Sequence, residues 1–172
     1  TVTGKAAFAE STFEHVALFQ NAEFGKATFS YCTFLGLTVF DGVETESELG
    51  FGDASFDSVL RLNNVTVGDT INCTGVTSES KIRLQDANIK VTATFRRMNL
   101  KDYLYAKEIH VTGDVILRKA TVDATLYISE GTIGGTFSLS HAVLGRDVLL
   151  TEMDISGGLD LSLSEFSSHV YV

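Results

Sequence analysis

The chain has no proline and no tryptophan, and only two of its residues are cysteines. It also lacks any run of about 18 apolar residues, so no membrane span is expected. Two thiols cannot staple a disulfide scaffold. No charged leader followed by an apolar core comes after Thr1, so any targeting peptide is expected to have been removed or never to have belonged here. The compartment, cytoplasmic or secreted, is left open. Positive charge is scarce as well. Against 22 Asp+Glu stand 13 Lys+Arg, a net charge of -9, which argues against direct nucleic-acid binding and against a basic membrane-surface module. What is present is apolar material: 44% of the 172 residues are hydrophobic and 20% charged, enough for a sizeable core and unlike a disordered chain.

That material is strictly ordered. From Ala54 onward the chain divides into units of eleven, such as VTVGDTINCTG, IHVTGDVILRK and AVLGRDVLLTE. The third column runs Phe56, Val67, Ser78, Ile89, Leu100, Val111, and so on to Phe166. The seventh and ninth run Leu60, Ile71, Ile82 and Leu62, Cys73, Leu84, and Ser78 is the one polar residue in all three columns. The same frame reaches back to the start. There AEFGKATFSY is one residue short, and VETESELGFGD (43–53) is the weakest unit because Thr45 falls in the third column. A single repeat domain over 1–172 is expected, with no linker and no second domain.

Apolar columns one, three, seven and nine form pairs two apart, which is the strand period, and no sustained 3.6-residue period exists. Glycines cluster in columns four to six, among them Gly68, Gly113, Gly134 and Gly145, and turns of positive φ are expected there. One unit encloses too little volume for inward Phe, Leu and Ile, whereas two units make four short sides around a filled interior. Outward residues give the same answer independently. Column eleven alternates between Asn64, Asp86, Glu108, Glu130, Glu152 and Gly75, Arg97, Lys119, His141, Leu163, so surface character repeats at 22 while the core repeats at 11. Almost eight coils follow, a rod on the order of 37 Å long at ~4.8 Å per stacked strand.

The stretch AESTFEHVALFQNAEFGKATFSYCTF pairs a small residue with a Phe two places later: Ser11/Phe13, Ala17/Phe19, Ala22/Phe24, Ala27/Phe29 and Cys32/Phe34. In this it resembles the pentapeptide-repeat family. The later units look like a variant with 11-residue double units, in which the seventh column is often Leu, Val or Phe in place of Ala. The resemblance implies an all-β fold, a right-handed parallel β-helix (quadrilateral solenoid) of about 22 residues per coil. It also implies a binding or scaffolding role, since the family includes non-enzymatic members that look like DNA and bind DNA gyrase, a type II topoisomerase.

Little in the sequence carries chemistry. His15, His110, His141 and His169 fall in four different columns, so they form no metal ladder and read as solvated. Cys32 and Cys73 read as buried thiols. No G-x-S-x-G, H-E-x-x-H, C-x-x-C or phosphate loop occurs, and no catalytic residue, cofactor or metal is expected. Thr70, Thr92 and Thr136 share a column, but Asp114 interrupts it and an ice-binding face is rejected. The sequons at Asn64 and Asn72 matter only on a eukaryotic secretory route.

Three outward groupings remain as candidates. The acidic strip Asp86, Glu108, Glu130 and Glu152 stacks like charges on neighbouring coils. It reads as a solvated corner, with a basic-partner strip, a phosphate-like ladder or weak Ca²⁺ binding as the functional options. The basic corner Arg96, Arg97, Arg118 and Lys119 sits half a coil away, so rods with one corner of each sign are able to pack side by side. Tyr105, Tyr127, Leu149 and Tyr171 make an outward stripe that either braces the coils from outside or offers a contact face. No polar cap is visible at either end of the chain, so a fragment of a longer protein or an end-stacked assembly is expected. The resulting reading is a non-enzymatic scaffold or protein-interaction rod, a homo-oligomer or end-to-end assembly, with an acidic DNA-mimic acting on a topoisomerase as the runner-up.

Overall fold

In a computed structural model describing residues 1–172, the chain winds into a parallel β-solenoid of short strands without a helix. Each coil has four sides. Using one coil as an example, the first face carries Ser55–Phe56, the second Leu60–Arg61, the third Thr66–Val67 and the fourth Thr70–Asn72. Stacked first-face strands form a separate eight-stranded sheet, one strand per coil, so there are about eight coils. The other three faces join into one 20-stranded sheet. They join because a few strands, Glu23–Thr28, Leu126–Ile133 and Val148–Ile155, run unbroken around a corner.

Register confirms the period read from the columns. Leu60 pairs with Ile82, Ile82 with Leu104, and Leu104 with Leu126, a step of 22 throughout. Hydrogen bonds between coils continue beyond the two- or three-residue strands. Phe95 N–H donates to Ile116 O at 2.7 Å, and Thr121 N–H donates to Met98 O at 2.8 Å. Most of the 112 backbone hydrogen bonds run between successive coils, as a stack of parallel strands requires.

The interior is one cluster of 44 buried residues. Phenylalanines 21 or 22 apart lie ring over ring: Phe13 on Phe34 at 4.6 Å, then Phe34 on Phe56 at 4.8 Å. Phe40 and Phe51, eleven apart, meet edge to face across the interior at 5.0 Å. Two polar residues stand in inward third-column positions, and both are satisfied. Thr45 Oγ1 donates to Ser47 O at 2.9 Å, and Ser78 Oγ donates to Ser80 O at 2.8 Å. A hydroxyl bonded to its own turn is tolerated where a free one is costly, so the weakest unit still forms a regular coil.

The missing residue of AEFGKATFSY is absorbed at one corner. Phe24 lies 22 positions from Val2, but Lys26 lies only 21 from Lys5. The step returns to 22 by Ala27 and Leu49. Gly25 sits at the change, where an added Cβ would lie 2.8 Å from the carbonyl oxygen of Thr3.

One expectation about the turns is overturned. Gly68, Gly113, Gly134 and Gly145 do not adopt positive φ, and Gly158 is the exception in that stretch of the unit. Their role is close approach: a Cβ on Gly68 would fall 2.1 Å from the Glu46 carbonyl oxygen of the coil beneath. Left-handed backbone belongs instead to column eleven. Asn64, Asp86, Arg97, Glu108, Lys119, Glu130 and Glu152 all have φ between 53° and 60°. Each closes a corner between two faces, the charged corners being of this kind. For residues other than Gly or Asn this conformation costs roughly 1–2 kcal/mol apiece.

Candidate functional site

The acidic corner lies between the second and third faces. Asp86, Glu108, Glu130 and Glu152 occupy the same left-handed position on successive coils, so their carboxylates leave the corner in one row. The row is not a bare ladder. Lys107 places Nζ 3.3 Å from Glu108 and 3.2 Å from Glu130, and those two carboxylates hold the Lys107 ammonium above its ordinary pKa, Glu130 most strongly. The cation sits one residue before the corner, and nothing in its own column announced it.

The aromatic stripe lies on the second face. Tyr105 pairs with Tyr127, Tyr127 with Leu149 and Leu149 with Tyr171, one per coil. Tyr105 and Tyr127 are half-buried and stacked, while Tyr171 is exposed. Below them Arg83 lies 5.8 Å from the Tyr105 ring centre and Lys81 lies 5.4 Å from that of Tyr103. Lys81, with help from Arg83, holds the Tyr103 phenol below its usual pKa. The stripe is thus engaged with its own chain along most of its length.

The basic corner lies diagonally opposite, between the fourth and first faces. Arg97 and Lys119 hold the left-handed positions, each preceded by an arginine, Arg96 and Arg118. Tight turns set all four outward: Met98 N–H donates to Phe95 O at 3.3 Å, and Ala120 N–H donates to Leu117 O at 3.0 Å. Arg97 N–H donates to Arg118 O at 3.0 Å, which fixes the two turns one above the other. All four side chains are exposed. Beside them the fourth face is lined by outward hydroxyls and an amide from Thr70, Asn72, Thr92 and Thr94, and together they bound a surface depression of about 840 Å³. Thr70 and Thr92 were legible as part of an interrupted threonine column, Asn72 as a sequon, and Thr94 only as an outward residue in the column of Asn72. Their adjacency to the arginines follows from the four-sided coil, in which columns six, eight and ten share a face.

Acids take part in the same face, Asp114 on the coil of Arg118 and Asp160 two coils further on. Asp114 Oδ1 accepts from Thr136 N–H at 2.8 Å. Asp160 accepts from Ser138 Oγ at 3.0 Å and Ser162 N–H at 3.0 Å, and bonds from Ser162 and Ser138, with Arg118 nearby, hold its carboxyl below the usual range. Of the remaining candidates, all four histidines are exposed and Cys32 and Cys73 are buried and free. Burial pushes the Cys73 thiol up to about 12. No family model, curated protein or solved structure matches the chain, so the pentapeptide-repeat resemblance stands on the residues alone.

Proposed function

We propose that the chain is a rigid, non-enzymatic β-solenoid rod, a scaffold and protein-interaction module that associates with further copies along its axis. The observation that carries this reading is where apolar surface is left uncovered. Inward-facing Val2 on the first coil and Leu159 and Val172 on the last are exposed, although Phe24, Phe137 and Leu150, their counterparts one coil further in, are sealed. Inward residues of those coils, such as Phe8, Phe13, Leu161 and Phe166, are only partly buried, whereas their equivalents in between are sealed. The ladders of these coils are paired on one side only, so each axial face offers strand edges and an apolar core to a further coil, whether that coil belongs to more of the same chain or to a second copy. Between them the backbone is held at fixed spacing, so outward columns meet a partner already ordered, with little entropy left to lose.

The test is the molar mass in solution by light scattering across a range of protein concentrations. Mass above the monomer, reduced by Val2→Lys and Val172→Lys together, is the expected result. A monomer at every concentration overturns axial association. The reading as an acidic DNA-mimic acting on a type II topoisomerase draws less support, because Lys107 neutralises the middle of the acidic row. Inhibition of gyrase supercoiling by the purified chain would restore it.

A further inference from the structure

We infer that the basic corner, with the hydroxyl-lined depression beside it, is an oxyanion site that takes the phosphate or sulfate group of a small ligand. The inference is independent of axial association. Its first support is charge. No carboxylate comes within 4.0 Å of Arg96, Arg97, Arg118 or Lys119, and unlike the other unpaired cations of the chain, such as Lys5, Lys90 and Arg146, these four stand together on one corner of two adjacent coils. Four cations on two adjacent coils, ~4.8 Å apart, repel one another without an anion between them. Asp114 and Asp160, the nearest acids on the same face, are committed to backbone and serine donors.

The second support is an orphaned hydroxyl. Thr94 Oγ1 is buried and has no hydrogen-bond partner, yet its residue lines the depression that the arginines border. A buried hydroxyl without a partner is costly, and an oxyanion oxygen is the acceptor it lacks. Guanidinium groups match a tetrahedral oxyanion with two parallel N–H donors, and a charge-assisted bond from the threonine completes the set.

Size follows from what borders the cluster. The coil below offers Thr74 and Gly75 in the positions of Arg96 and Arg97, and the coil above offers Ser140 and His141. Beyond those, Asp160 repels an extended polyanion. Two cationic coils accommodate one or two tetrahedral groups, so the ligand is of monophosphate, diphosphate or sulfate-ester size and not a polymer.

Titration calorimetry at low ionic strength, with inorganic pyrophosphate and inorganic sulfate as separate probes, tests this. Saturable binding at one site is expected for at least one of them. Tighter pyrophosphate assigns the natural group to a phosphate, and tighter sulfate assigns it to a sulfate ester. The double variant Arg96→Gln/Arg118→Gln is expected to bind at least tenfold more weakly, and Lys90→Gln, an exposed cation on another face, to bind unchanged. Thr94→Val is expected to weaken binding several-fold without lowering the melting temperature of the free protein, because its hydroxyl has no partner to lose. A second readout needs no ligand: Lys119→Gln is expected to melt higher than wild type at low salt, as repulsion is relieved. Absence of saturable binding with both anions, or equal binding by the double variant, overturns the proposal.

Discussion

Tyr105 and Tyr127 lie ring over ring on successive coils, 4.9 Å between centres and 4° from parallel. Their registered positions are a direct consequence of the 22-residue coil, since nothing else in the chain brings those two residues together. With Arg83 beneath them, they form an outside brace that mirrors the phenylalanine stacks within.

Truncating that brace is expected to cost stability first. Tyr127→Ala should lower the free energy of unfolding by about 1–2 kcal/mol, since an aromatic pair contributes ~0.5–1.5 kcal/mol beyond its buried area. Denaturant unfolding measures this, with light scattering alongside. A lower molar mass at unchanged stability would instead make the stripe a contact between molecules.

Lys107 is expected to matter in proportion to dilution of salt. Lys107→Gln leaves Glu108 and Glu130 facing each other without a cation, so its melting temperature should fall below wild type at low ionic strength. The gap should close in 1 M salt, where screening acts over ~3 Å. A gap independent of salt would show that the lysine acts through packing of its stem.

Corner strain should be open to relief. Glu152 has φ 55° and makes no ion pair, so Glu152→Gly removes a left-handed penalty of roughly 1–2 kcal/mol while adding ~0.5–1 kcal/mol of unfolded-chain entropy. A net gain of up to about 1.5 kcal/mol is expected by thermal or denaturant unfolding. The control is Gly75→Ala, which puts a Cβ at φ 72° and 2.1 Å from Asp53 Oδ1, and should destabilise.

Cys73 should be silent to thiol reagents at pH 8 in the folded rod and reactive once unfolded. Burial favours its neutral form, so the stability it contributes is fully present below the unfolded value near 9.0. It is lost progressively as pH rises from there through about 12. Labelling of Cys73 in native protein, followed by mass spectrometry, would contradict the sealed interior.

The sequence made the coil legible because its signal is redundant. Every inward position is reinforced by its neighbours 11 and 22 residues away, and the outward charges alternate independently. Corners were harder. Glycine drew attention to columns four to six, where it serves close packing against a carbonyl, while Asn21, Gly42, Asn64 and Gly75 marked the left-handed column among bulkier residues that accept the strain. Ion pairing at Lys107 and the alliance of Thr94 with the arginines were hidden for a different reason. Both join residues from different columns, and a column-by-column reading sees only what repeats.

The coil that is one residue short at Gly25 carries a consequence for how such a chain tolerates change. Because each turn of the solenoid closes on its predecessor by backbone bonding, a lost amino acid shortens one bend and the following turn resumes the common spacing. Length errors therefore heal locally instead of accumulating along the rod. Molecules of this design are free to drift by single insertions or deletions at their bends while every wall keeps its alignment.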